Sequence, residues 1–258
     1  MKRLCTFILR YLKYLFKAKG RHSIHSPFVF DLYENCISKK SENISFDKIE
    51  NQRQILLKDR STIHIQDFGT GCNRNSCVAD VVKQSSKPSK QAQLLYQLAL
   101  HFSPETIIEL GTAAGISTMY MAAAYPEKKV ITIEGSPEIG AIAENNFKTL
   151  SFENIDLIID TFDNAFPALN KKIINPALIF IDGNHTKEAT LRYSNHFISI
   201  IDKQSVMVFD DIYWSKGMME AWNEIKKHPD VTVSIDLFTF GIVFFKSGLT
   251  KQDFILRF

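Results

Sequence analysis

From about residue 90 onward, short apolar runs alternate with helical stretches, and this alternation restricts the fold more than any other feature of the chain. The runs are TIIELG (106–111), VITIEG (130–135), IDLIID (155–160), ALIFIDG (177–183) and SVMVFDD (205–211). Strands separated by helices pair in parallel through right-handed crossovers. Two later runs, VTVSIDL (231–237) and GIVFFK (241–246), are joined by only three residues, which allows an antiparallel hairpin but no crossover. We therefore predict a doubly wound α/β fold with a mostly parallel, seven-stranded sheet that ends in an antiparallel hairpin.

The most loop-like segment of the 258-residue chain is QSSKPSK (84–90), and we place a domain boundary there. Residues 89–258 carry the alternating pattern. Residues 1–88 mix short helical segments with one strand and a turn, so we predict a helical N-terminal extension. The apolar share of 45% is typical of a globular chain. No apolar run reaches the roughly 18–20 uncharged residues of a membrane span.

The excess positive charge lies in the first 21 residues, which include seven basic residues and no acidic one. The rest of the chain has 24 basic against 28 acidic residues, which argues against a nucleic-acid-binding face across the fold. Apolar residues recur at helical spacing and predict a basic amphipathic helix over residues 3–18. They include Leu4, Ile8, Leu12 and Leu15. Such a helix can cover an active site, pack on a second subunit of a homodimer or bind an anionic membrane surface. We favour packing or use as a lid.

The N-terminal segment does not have the pattern of a signal peptide, because Arg10 and Lys13 interrupt its apolar stretch and no cleavage site follows. The four cysteines include no CxxC pair. We therefore expect reduced thiols and a cytoplasmic protein.

A glycine loop joins the strand at 106–111 to the next helix. Gly111 and Gly115 let the backbone approach a ligand closely, and the helix that follows offers unpaired N–H groups. Nineteen residues beyond Gly115, the next strand ends at Glu134, which can accept hydrogen bonds from ribose hydroxyls. A dinucleotide site prefers GxGxxG because its second glycine makes room for a pyrophosphate, and Ala113 stands at that position. The loop favours a nucleoside without a diphosphate, such as S-adenosylmethionine.

A second glycine loop lies in IHIQDFGTGCN (63–73). The twenty residues after it contain no strand that ends in an acid. We interpret it as a turn and not as a second nucleotide site.

The motifs ELGTAAG, ITIEG and FIDGNH, with the final hairpin, resemble those of class I S-adenosylmethionine-dependent methyltransferases over residues 90–246. HSPFVF, FDDIYWS and SIDLFTFGIVFF are also similar to a group of little-characterised bacterial methyltransferases. The resemblance implies a Rossmann-like fold and S-adenosylmethionine as cofactor. The residues that it assigns to the methionine end of the cofactor are Glu109, Gly111, Thr112, Gly115 and Ser117.

The same resemblance assigns the rest of the cofactor site. Glu134 and the adjoining Gly135 would hold the ribose, and the Asp160–Phe162 turn, with Thr161 and Phe162, would lie at the adenine. Asp182 is a further candidate cofactor-binding residue, although it could instead only brace the cofactor loop.

The acceptor side is expected at the carboxyl ends of the parallel strands, where ligands of such folds bind. The chain resembles small-molecule O-methyltransferases of the catechol and caffeoyl-coenzyme A type. Those enzymes have a metal-binding Asp where Asp182 stands and an Asp-Asn pair where Asp210 and Asp211 stand. The resemblance and the three hard carboxylates imply a divalent cation (Mg²⁺, Ca²⁺ or Mn²⁺). Tyr213 and Trp214 would contact the acceptor.

Three residues after Asp182, where that family has a catalytic lysine, this chain has His185. Asp211 also replaces the family's Asn. An imidazole can take a proton from a hydroxyl near neutral pH, so His185, beside Asp182, is our candidate general base for O-methylation of a small-molecule acceptor.

Other functions remain open. An RNA methyltransferase could use the basic N-terminus as an anchor, although DGNH (182–185) is not the Asn/Asp-Pro-Pro-aromatic motif of enzymes that methylate base nitrogens. An NAD-type dehydrogenase is disfavoured by Ala113 and by the terminal hairpin. A non-catalytic binding module would keep the cofactor pocket without turnover.

Overall fold

The computed structural model describes residues 2–39, 46–65 and 74–258, with side chains from residue 5 onward. Two compact units are present: Met1–Ser38 with Asn175–Phe258, and Lys39–Ile174. The helices are α1 (Lys2–Lys17), a 3₁₀ turn (Arg21–Ser23), α2 (Pro27–Leu32), a π-helical turn (Tyr33–Ile37), α3 (Asp47–Leu56), α4 (Val78–Ser85), α5 (Ser89–Phe102), α6 (Ile116–Ala122), α7 (Pro137–Thr149), α8 (Phe162–Asn170), α9 (Lys187–Ile198) and α10 (Lys216–Ile225). The strands are β1 (Thr62–Ile65), β2 (Arg74–Cys77), β3 (Thr106–Leu110), β4 (Lys129–Glu134), β5 (Ile155–Ile159), β6 (Ala177–Ile181), β7 (Val206–Asp210), β8 (Val233–Asp236), β9 (Phe240–Phe244) and β10 (Gln252–Ile255).

The predicted fold class is confirmed: β3–β10 form a mostly parallel sheet with flanking helices and an antiparallel hairpin, a Rossmann-like α/β fold. The predicted number of seven strands was wrong, because the sheet has eight within residues 2–39, 46–65 and 74–258. The additional strand, β10, pairs in parallel with β8 from Gln252↔Val233 to Ile255↔Asp236. It is short, and its first three residues, Gln252–Phe254, include two exposed polar side chains, so it lacks the apolar run by which the other strands are recognised.

In the unit Lys39–Ile174, β3, β4 and β5 pair in parallel, so their carboxyl ends lie at one edge. All five residues of β3 are buried, as expected of a central parallel strand. β1 and β2 form a separate antiparallel pair, from Thr62↔Cys77 to Ile65↔Arg74. The second glycine loop of the sequence, with Gly69 and Gly71, lies outside the described residues.

In the other unit the strand order is β10-β8-β9-β7-β6. β6 and β7 are parallel, whereas β9 is antiparallel to both β7 and β8. The predicted hairpin is therefore present, as β8 and β9. Trp222 on α10 is buried and lies so close to Gly241 that a Cβ there would come within 2.7 Å of its ring.

Helix α1 packs on this unit through residues that, among the described side chains, share only Leu15 with the predicted stripe. Tyr14 and Ala18 are buried with Phe238, and Phe7 and Leu15 pack against this cluster. Ile8 and Leu12, which were expected to need cover, are 47% and 45% exposed. The aromatic rings of Phe7 and Tyr14 pack against the Phe238 ring. This packing determines which side of α1 faces the rest of the unit. In the described part of the chain, no helix combines the length and hydropathy that a membrane span requires.

Candidate active site

The glycine loop between β3 and α6 has three residues in the left-handed backbone region. They are Gly111 (φ 104°), Ala113 (φ 49°) and Gly115 (φ 77°). A Cβ at Gly115 would lie 2.4 Å from Cε1 of Phe147 on α7. Gly115 is therefore required by its backbone angle and by close helix packing, in addition to any approach of a ligand.

Glu109, on β3, is completely buried beneath this loop. Its carboxylate accepts hydrogen bonds from the hydroxyls of Ser117 (2.6 Å), Thr132 (2.7 Å) and Thr118. Burial raises the pKa of Glu109 to about 7, although the three hydroxyls act to lower it. Glu109 and Ser117 are therefore in direct contact, and they lie beneath the glycine loop.

Glu134, at the end of β4, is hydrogen-bonded to the backbone of the glycine loop. Its Oε2 accepts from the backbone N–H of Ala113 (2.9 Å) and its Oε1 from that of Ser136 (3.0 Å). Thr112 adds a hydroxyl hydrogen bond of 2.6 Å to Thr132 on β4. Glu134 and the adjacent Gly135 are half-buried, so a ligand can reach this strand end.

The turn after β5 is ordered by its own polar groups. Asp160 Oδ1 accepts from the backbone N–H of Thr161 (2.7 Å) and from the Asn164 amide (3.0 Å). Thr161 then caps α8, since its hydroxyl accepts from the N–H of Asn164 (3.3 Å). Phe162 is half-buried. The expected cofactor residues of this unit are therefore found at the ends of three parallel strands, at one edge.

In the other unit, Asp182 follows β6 and Asp210 ends β7. Because β6 and β7 are parallel, with Ile181 opposite Phe209, the two carboxyl groups lie side by side. His185 joins them: its Nε2 is 3.7 Å from Oδ1 of Asp182. One ligand atom from each of these three side chains lies within 4.8 Å of the others. This donor set of two carboxylates and an imidazole fits a divalent cation.

Asp211 does not belong to that group of three. β7 ends at Asp210, and the backbone of Asp211 turns into the left-handed region (φ 53°). Its carbonyl accepts from the N–H of Trp214 (2.8 Å), which closes a tight turn. Of the three residues predicted as metal ligands, Asp182 and Asp210 belong to the group, and its third member is His185 in place of Asp211.

The two expected acceptor residues have different environments. The hydroxyl of Tyr213 donates to Asp236 (2.8 Å), and its ring stacks on Phe238 at 4.9 Å. Burial raises the pKa of Tyr213. Trp214, by contrast, is 60% exposed. Tyr213 is thus part of the packed core beside the loop, and Trp214 is accessible to a ligand.

Sequence reasoning missed Arg10 on α1. Its guanidinium donates to the backbone carbonyls of Tyr213 (2.7 Å) and Trp214 (3.1 Å). No local signal could have identified this contact, because it joins positions about 200 residues apart. Through it, α1 holds the loop after β7.

Comparison with known proteins shows that this chain is similar to methyltransferases. Residues 108–212 match a family described as "Methyltransferase domain". A catechol O-methyltransferase of Mycobacterium tuberculosis is 25% identical over 51% of this chain and 59% of its own length. A catechol O-methyltransferase of Niastella koreensis is 41% identical over 25% of this chain and 28% of its own length. The chain spans between 28% and 59% of the length of these curated relatives.

Among solved structures, a putative caffeoyl-CoA O-methyltransferase of Staphylococcus aureus has the same fold. It superposes with a TM-score of 0.59 at 18% identity, over 84% of this chain and 97% of the other. An SAH-bound methyltransferase of Podospora anserina gives a TM-score of 0.60 at 14% identity, over 79% and 89%. Residues 108–212 therefore match a methyltransferase domain, and the chain has the fold of these solved methyltransferases.

Proposed function

We propose that this protein transfers a methyl group from S-adenosylmethionine to a hydroxyl oxygen of a small-molecule acceptor. The observation that carries the proposal is the group of Asp182, His185 and Asp210 at the ends of β6 and β7, in a chain with a methyltransferase domain. A base beside carboxylates suits a hydroxyl acceptor, whose proton must be removed during the transfer.

S-adenosylmethionine is the cofactor that the loop after β3 suits best. The carboxylate of Glu134 is fixed by two backbone N–H groups at a strand end, where ribose hydroxyls would donate to it. Ala113 narrows the loop at the position where a dinucleotide site has a glycine. In our proposal, Gly111, Thr112 and Gly115 line the methionine end, Gly135 lies beside the ribose, and Thr161 and Phe162 lie beside the adenine.

His185 acts as the general base in this proposal. When bound, S-adenosylmethionine supplies an electrophilic methyl group on a sulfonium. Nε2 of His185 would take the proton of the acceptor hydroxyl as that oxygen becomes methylated. Asp182, with Oδ1 at 3.7 Å, stabilises the imidazolium that results. The products are a methyl ether and S-adenosylhomocysteine.

Asp182, His185 and Asp210 are also the residues that would hold a divalent cation, and Asp211 would act from the adjoining turn. The cation would polarise acceptor oxygens and favour their deprotonation. A ring nitrogen of His185 that binds a metal cannot accept a proton, so the roles of base and ligand exclude each other at Nε2. Two measurements distinguish these roles: whether turnover depends on a metal, and how much turnover His185→Ala loses.

The relatives named for catechol support an aromatic acceptor with two neighbouring hydroxyls. Trp214 is exposed near the strand ends and would contact such a ring, with Tyr213 behind it.

A calorimetric titration tests the cofactor half of the proposal. The full chain should bind S-adenosylmethionine and S-adenosylhomocysteine with micromolar affinity and show no heat with NAD. Glu134→Ala should weaken binding by about 5- to 150-fold, which corresponds to about 1–3 kcal/mol for lost charge-assisted hydrogen bonds.

Glu144→Ala is the matched control, because Glu144 is an exposed carboxylate that pairs with Lys148 on α7. Its affinity for S-adenosylmethionine should equal that of the wild type. Tight binding of NAD without a response to S-adenosylmethionine would refute the assignment.

A further inference from the structure

Helix α1 has an outer face that remains exposed although its residues are apolar. This outer face consists of Cys5, Ile8, Leu9, Leu12 and Phe16, and the side chains of Phe16 and Leu9 are 91% and 58% exposed. Cys5, Leu9, Leu12 and Phe16 follow one another at intervals of four, three and four residues, the spacing of one side of an α-helix. The exposure is therefore continuous along the helix and not a set of isolated side chains.

The orientation of α1 is fixed by the opposite side of the helix. Phe7, Tyr11 and Tyr14 each place an aromatic ring about 5 Å from that of Phe238. Just beyond the helix, the N–H of Lys19 donates to Ile255 (2.8 Å), and the N–H of Arg257 donates to Lys19 (3.0 Å). The outer face therefore cannot turn inward without breaking this packing.

Basic residues flank the outer face. Lys13 and Lys17 are exposed, and the first 21 residues include seven basic side chains and no acidic one. A partner of this surface must bury aliphatic and aromatic groups and also supply negative charge. An anionic lipid surface offers both, because apolar side chains enter the acyl boundary and lysines meet the headgroups.

We propose that α1 docks this protein on anionic membranes, with the outer face buried in the headgroup region and Lys13 and Lys17 against anionic headgroups. A second copy of the chain fits less well, because two α1 helices in contact would oppose like charges with no acid in the segment to compensate. The helix lies on the membrane and does not cross it, since Arg10 and Lys13 interrupt its 16 residues.

A further exposed aromatic residue lies in the loop that contacts α1. The backbone carbonyl of Trp214 accepts from Arg10 of α1 at 3.1 Å, and its indole is 60% exposed. Tryptophan is enriched at membrane–water interfaces because its ring is apolar and its N–H is polar. Docking through α1 would therefore bring the loop after β7 close to the lipid.

Cosedimentation of the full chain with vesicles tests this proposal. Vesicles of phosphatidylcholine with phosphatidylglycerol should bind the protein, and vesicles of phosphatidylcholine alone should bind it at least tenfold more weakly. Leu9→Ser with Phe16→Ser should reduce binding to the anionic vesicles by tenfold or more, and so should Lys13→Gln with Lys17→Gln. Ile55→Ser, which changes a 61% exposed apolar residue on α3, is the matched control and should bind like the wild type.

Three results would overturn the proposal. The wild type could remain in the supernatant with both kinds of vesicle, or the Leu9→Ser, Phe16→Ser variant could bind as well as the wild type. Light scattering could also show a dimer that the same variant dissociates, which would assign the outer face to a second copy. The assay measures no methyl transfer, so its result is independent of the proposed enzymatic function.

Discussion

The buried carboxyl group of Glu109 should make the stability of the protein depend on pH. Its pKa is about 7 in the folded chain and near its ordinary value of 4.5 when unfolded. Between these values the native state keeps a proton that the unfolded state has lost, so stability falls as the pH rises through this window. Relative to Glu109→Gln, the wild type should lose up to about 3 kcal/mol of unfolding free energy between pH 5 and pH 8.

Urea denaturation of both proteins at the two pH values measures this difference. Glu153→Gln, a change at an exposed carboxyl group, is the control and should follow the wild type at both. A constant difference between wild type and Glu109→Gln would show that Glu109 is ionised throughout.

His185 is the residue on which the proposed chemistry depends most. His185→Ala should lower turnover by about a hundredfold or more and leave the affinity for S-adenosylmethionine almost unchanged, because the side chain acts on the acceptor. His22→Ala, at an exposed histidine in the 3₁₀ turn, should have wild-type turnover.

Metal addition then separates the two roles of His185. If excess Mn²⁺ restores the turnover of His185→Ala, the imidazole is a ligand and not the base. If turnover of the wild type survives EDTA and Asp210→Asn is fully active, Asp210 and Asp211 have a structural role alone.

At the residue scale, the sequence could predict which glycine and acidic residues lie at the strand ends, because a glycine loop and a strand-terminal acid are local sequence signals. Glu134 and Asp182 were placed at strand ends in this way, and the structure has them there. The sequence could not predict that Ser117 bonds to Glu109, or that His185 and not Asp211 joins Asp182 and Asp210. Those arrangements depend on left-handed backbone angles at positions such as Asn184 (φ 50°), which side-chain type does not determine.

At the scale of elements, the loop between β3 and α6 depends on the close approach of α7. Gly115→Ala would place a Cβ 2.4 Å from the Phe147 ring at a φ of 77°. We expect a loss of about 2–4 kcal/mol of stability from backbone strain and overpacking together. Thermal denaturation measures it, with Gly20→Ala as the control, since a Cβ at Gly20 meets nothing within 4 Å. Equal melting temperatures for the two variants would contradict this reading of the loop.

The strands β3 to β9 were predictable because buried parallel strands are continuous apolar runs, and the three-residue link required a hairpin. β10 was not, since a partly exposed edge strand with polar residues resembles a loop in sequence. The rotation of α1 was also beyond sequence reasoning. Apolar residues occupy more than one side of that helix, and only the position of Phe238 determines which side is covered.

At the scale of the whole molecule, the sequence predicted the fold class because alternating strands and helices permit few topologies. The domain boundary near residue 88 stays a prediction. Long-range contacts, such as that of Arg10 with the loop after β7, were not predictable, because a surface arginine has the same local sequence whether it is bound or free.

The central claim is that the chain methylates a hydroxyl group, and it is tested most directly by an acceptor assay with isotopically labelled S-adenosylmethionine. The acceptors are small aromatic molecules with neighbouring hydroxyls and, for comparison, short RNA. We expect the label in a methyl ether, with an equal amount of S-adenosylhomocysteine, and no label in RNA. Binding of S-adenosylmethionine without transfer to any hydroxyl acceptor, or label on nitrogen or RNA, would contradict the claim.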